Sequence, residues 1–122
     1  MRKSSSILIM FALISTISCD NTTDPNLSTR YMTASIRSSE AYEYRTGISG
    51  DEDGASIKVQ AKHFVTSEIA RNAATNWEAV YMYKPDPLFS GTDYVELELS
   101  TGSDGASPPT YVEIVRITIH VD

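Results

Sequence analysis

Sixteen Asp and Glu residues stand against ten Lys and Arg in this 122-residue chain. The densest knot of carboxylates is the run DEDG at residues 51–54. Asp51 and Asp53, joined by Asp104 from a second segment that shares the tetrapeptide DGAS, are hard oxygen donors of the kind that suits calcium. The EF-hand spacing fails, because Lys62 occupies the position of its closing glutamate. Two solvated turns are the plainer reading. Trp77, Tyr81 and Tyr83 fall at even spacing and would share one face of a strand, either as core or as a stacking platform for sugar rings. His63 and His120 are the two histidines. Neither stands in a nucleophile motif or at metal-ligand spacing, so no hydrolytic triad or structural zinc site is expected. The glycines are isolated turn formers, which leaves no phosphate-cradling loop.

The elements that would position these residues begin after a leader. Arg2 and Lys3 precede an apolar run at residues 7–14, too short to span a bilayer and followed by small polar residues up to Cys19. This reads as an export signal over residues 1–18. Cys19 is the single cysteine, so no internal disulfide forms even in an oxidising compartment. Its position resembles the bacterial lipobox, in which that cysteine is diacylated and becomes the first mature residue; Ser18 and Ile17 fit, while Thr16 stands where leucine is usual. The resemblance implies a chain held to a membrane by lipid in the bacterial cell envelope, at the outer membrane or cell surface rather than the inner membrane. Loss of Arg2 and Lys3 leaves the mature chain more acidic than the full chain's net −6. That excludes nucleic acid as a partner and argues against docking to anionic headgroups by charge.

Residues 19–29 are polar and aperiodic and read as a tether, leaving residues 30–122 as one small domain. Met32, Ala34 and Ile36 alternate in a first strand at 31–37. Tyr42 and Tyr44 share a face of a second, and Ile57, Val59 and Ala61 alternate in a third. Residues 65–76 have both helical and strand spacing; a strand followed by a turn at 72–76 is favoured. Alternation returns at 77–84, at 93–100 with Val95, Leu97 and Leu99 inward, and at 111–121 with Val115, Ile117, Ile119 and Val121 inward. Six or seven short strands with no strong helix predict an all-β antiparallel sandwich. If the strands after the first run antiparallel in succession, the loops at 49–54, 72–76 and 101–110 share one end.

Between two of these strands lies YKPDPLFSGTDYVELEL, residues 83–99. Pro85 and Pro87 lack amide hydrogens and must end the ladder. Phe89 is expected to be a buried plug, Gly91 to supply a positive φ, and Thr92 and Asp93 to accept hydrogen bonds from nearby loop amides. Tyr83, Pro85, Phe89, Gly91, Thr92 and Asp93, followed by a Val/Ile-rich last strand, resemble the C-terminal half of bacterial Ig-like and cadherin-like modules across residues 57–121. Phe64 stands where that family often has a glycine after histidine. The resemblance implies an Ig-like sandwich acting as a binding or structural module, with an envelope protein or glycan as partner and no catalysis. A carbohydrate-binding accessory lipoprotein using the aromatic platform is the second expectation. An envelope enzyme is the third, and would need His63 or His120 in a cleft beside a carboxylate and a hydroxyl.

Overall fold

A computed structural model describes residues 26–122. The leader, Cys19 and most of the tether lie outside the described residues. Seven strands follow: β1 Leu27–Ile36, β2 Tyr42–Arg45, β3 Gly54–Val59, β4 Phe64–Ala70, β5 Val80–Pro85, β6 Gly91–Thr101 and β7 Tyr111–Val121, with a short 3-10 turn at Ala73–Thr75. They form a four-stranded sheet in the order β1-β7-β6-β3 and a three-stranded sheet in the order β2-β5-β4. With β2, β5 and β4 standing as strands B, E and D and β3, β6 and β7 as C, F and G, this is the Ig-like arrangement of a two-sheet sandwich.

The alternation read from the sequence is what closes the core. Val95, Leu97 and Leu99 from β6 and Val115, Ile117, Ile119 and Val121 from β7 meet Tyr81 and Tyr83 of β5 between the sheets. Met32, Ile36, Tyr42, Tyr44, Ile57 and Ile69 pack against them from the remaining strands. Each large side chain so buried contributes about 1.5–3 kcal/mol against the entropy of ordering the chain.

Four expectations need correction. The sandwich is not wholly antiparallel, since β1 runs parallel to β7 from Leu27 opposite Val112 to Ile36 opposite Val121. A parallel edge is open to β1 because the whole intervening chain serves as its crossover. The strand also starts at Leu27, so residues 27–29 belong to the sheet and not to the tether. The third strand ends at Val59, where its register to β6 shifts after Ile57; that irregularity turns Val59 outward and leaves Phe64 to open β4. Finally, β5 starts at Val80, three residues later than the alternation of Trp77 suggests. Asn76 and Trp77 both have positive φ, 54° and 63°, and break the strand there.

Candidate binding surface

The corner after β5 is structural. Pro85 is buried and closes the strand opposite Phe64. Asp86 then accepts from Phe89 N through its carbonyl and from Leu88 N through its side chain, a turn with Pro87 at the position its fixed φ favours. Phe89 is half-buried, so it is a lid and not the enclosed plug expected. Its ring stacks on His63 at 4.2 Å and 7°. Gly91 has the expected positive φ of 137°, and a Cβ there would sit 3.4 Å from Phe89 Cζ.

Asp93 does more than cap a local turn. It is 3% exposed, and its Oδ1 accepts from Lys62 N and Tyr94 N while Oδ2 accepts from His63 N and the Tyr83 hydroxyl, each at 2.9 Å. Three of those donors lie on other elements, so one carboxylate ties the turn between β3 and β4 to β5 and β6. Burial pushes the Asp93 carboxyl upward, but the three amides and the phenol outweigh it and hold the group below the usual carboxylate range. Tyr83 is pushed well above the usual phenol value by burial and by its bond to Asp93.

At the opposite end, the loops at 49–54, 72–76 and 101–110 meet as expected. Gly102 N donates to Asp53 Oδ1 at 3.3 Å. What joins the loops is Arg71, which the sequence reading did not single out. Its guanidinium donates to the carbonyls of Gly50, Asp53 and Trp77 at 2.6, 2.9 and 2.9 Å. Asp104 accepts from Ala106 N, Ser107 N and Ser107 Oγ within its own loop, and these bonds, the amides first, lower its pKa. Asp51, Asp53 and Asp104 are therefore neighbours by loop, and no group of three or more potential metal ligands is gathered among the described residues.

The platform expected of Trp77, Tyr81 and Tyr83 does not form. Tyr81 and Tyr83 are 0% and 1% exposed. Tyr81 bonds Ser67 Oγ at 2.7 Å, and burial pushes its hydroxyl to about 12. Trp77 stands outside the strand and 61% exposed. The reason lies in its left-handed backbone, held by Trp77 N donating to Asn72 O at 2.8 Å and by Arg71 on its carbonyl.

A different aromatic strip crosses the outer face of the four-stranded sheet. Tyr31 on β1, Arg116 on β7 and Glu96 on β6 lie in one register row. Tyr31 is 72% exposed, with the Arg116 guanidinium 5.7 Å from its ring centroid and its hydroxyl accepting from Arg116 at 3.1 Å. Arg116 Nε lies 2.8 Å from Glu96 Oε1, close enough for an ion pair yet misaligned for a hydrogen bond. Tyr94 completes the strip by donating to the same Glu96 oxygen at 2.5 Å, a bond that lowers the pKa of Glu96. The parity of Tyr31 against Met32 and of Tyr94 against Val95 was the available signal. The row across three strands was not, because it needs their register. On the same face His120 Nδ1 meets Thr92 Oγ1 at 3.1 Å. Neither imidazole is joined to both a hydroxyl and a carboxylate among the hydrogen bonds of the described residues.

No protein-family model matches the chain, and no curated protein matches it. Among solved structures, an endo-fucoidan hydrolase of glycoside hydrolase family 107 is similar at a TM-score of 0.46 and 15% identity, over 77% of this chain and 12% of that one. A cysteine protease inhibitor from Entamoeba histolytica is similar at 0.40 and 16%, over 79% of this chain and 99% of that one. The chain thus spans about an eighth of the hydrolase's length, and neither likeness bears on its function.

Proposed function

We propose that this chain is a non-catalytic, lipid-anchored module of the bacterial envelope that binds a neutral sugar chain across the outer face of its four-stranded sheet. The observation that carries this reading is the strip Tyr31–Arg116–Glu96–Tyr94. A pyranose presents a face of C–H groups that packs on an aromatic ring, and hydroxyls around its rim that need donors and acceptors. Tyr31 and Tyr94 offer rings; Arg116 and Glu96 offer the polar partners, and their charges offset one another. A strongly charged polymer gains little there. The strip is also held by its own hydrogen bonds, which reduces the ordering cost of binding.

Native gels cast with hydroxyethylcellulose, galactomannan or alginate test the reading. Retarded migration is expected in at least one of the two neutral gels, weakened by roughly tenfold in Tyr31→Ala and in Tyr94→Ala and unchanged in Trp77→Ala. Free migration in both neutral gels overturns the reading, as does retardation by alginate alone or retardation that survives both tyrosine substitutions.

A further inference from the structure

We infer that the loop end carrying Trp77 faces the membrane, with the Trp77 side chain in the headgroup layer of a zwitterionic leaflet. This rests on Cys19 carrying the lipid anchor, as in the proposed function. β1 enters the sheet at the end where Val112 N donates to Asn26 O at 2.9 Å, beside the first residues of β7. That is the end of the 101–110 loop, which Asp53 joins to the 49–54 loop and Arg71 joins to Trp77. The chain therefore enters the domain at the end where Trp77 stands.

Tether length makes this placement selective. From Cys19 to Asn26 the chain advances seven residues, a reach of at most about 25 Å when fully extended. The eleven-residue strands β6 and β7 are about 36 Å long. The far end, where Leu88 is 95% exposed, thus cannot be turned down onto the bilayer from that tether. The near end is held within reach of it. There the exposed indole sits on backbone fixed by Arg71 and by the paired Asn72–Thr75 cap, and tryptophan is the side chain most suited to the membrane–water boundary. Asp51, Glu52, Asp53 and Asp104 at the same end oppose an anionic surface, which is why the leaflet is zwitterionic.

Trp77 is the single tryptophan, so its fluorescence reads the contact directly. The lipidated mature protein is reconstituted into phosphatidylcholine vesicles whose acyl chains carry bromine near the headgroup, and sedimentation with the vesicles is measured in parallel. The expected result is quenching of Trp77 and a shift of its emission to shorter wavelength, with no quenching in a Trp77→Phe, Leu88→Trp double variant. A chain that sediments while Trp77 emission is unchanged overturns the orientation and leaves the anchor standing. Equal quenching from position 88 overturns it as well. A chain that does not sediment overturns the anchor, and the orientation with it.

Discussion

Asp93 is the residue on which the corner most depends, because removing its carboxylate takes the side-chain acceptor from three amides and leaves the buried Tyr83 phenol only its longer bond to the His63 carbonyl. Asp93→Ala is expected to cost about 3 kcal/mol in a denaturant melt, above the ordinary loss of one hydrogen bond. Phe89→Ala should cost less, about 2 kcal/mol, since the ring is only half-buried and stacks on one partner. Gly91→Val should be as harmful as either. A β-branched side chain is strongly disfavoured at positive φ, and that backbone strain carries the cost, since a Cβ there would only touch Phe89 at 3.4 Å. The Asp93 pKa also sets a sign for pH. The folded value lies below the unfolded one, so its contribution is present above an unfolded value of about 3.9 and is lost as the pH falls through the lower folded value. Acid melts of Asp93→Asn should show a shallower loss of stability below about pH 4 than the parent. Parallel curves would assign the acid sensitivity to other carboxylates.

At the scale of elements, the segment between β4 and β5 is held by one cation. Arg71 gives the carbonyls of Gly50, Asp53 and Trp77 a shared partner, and Asn72 and Thr75 close the turn with reciprocal side-chain and backbone bonds. Arg71→Met keeps the aliphatic stem and removes the donors. It is expected to destabilise by about 2 kcal/mol and, more tellingly, to raise amide exchange in the segments 49–54 and 72–78 while β6 and β7 stay protected. Uniform loss of protection would mean that the loops are not a separate unit. The same cation bears on the acidic turns. A calcium ion at Asp51, Asp53 and Asp104 would compete with a guanidinium already bonded to the Gly50 and Asp53 carbonyls. Millimolar calcium should therefore leave the melting temperature unmoved, and a rise would show binding to the folded state.

For the whole molecule, the two ends and the two sheet faces have separate roles in the proposed reading. The Asp93–Phe89 corner closes the far end, the Arg71 end receives the tether, and the hydroxyl-rich outer face of β1-β7-β6-β3 remains open toward a ligand. Cys19→Ala should release the protein from membranes into the soluble fraction while leaving its melting temperature unchanged, because every residue of the core lies within the described residues 26–122. Unchanged fractionation, with no lipid mass on the parent chain, would remove the anchor.

The strands that hold their own signal were readable from residue order alone. Period-two alternation in β6 and β7 assigns each side chain to a face whatever its neighbours are, the prolines at 85 and 87 end a ladder through their missing amides, and the succession of reversals places the acidic loops at one end. Register and reach emerged with the fold. Tyr31, Arg116 and Glu96 are distant in the chain and become a row only when β1 lies parallel to β7 and β7 pairs with β6. The spacing of Trp77, Tyr81 and Tyr83 predicts one shared face, but two successive residues of positive φ take Trp77 out of the strand, and that conformation depends on Arg71 and Asn72 bonding to carbonyls and amides of the loop. Asp93 likewise looks like a local turn former until the fold brings Lys62 and His63 to its carboxylate. Periodicity is a property of one strand, whereas a site is made by several strands at once, so the faces were legible and their partners were not.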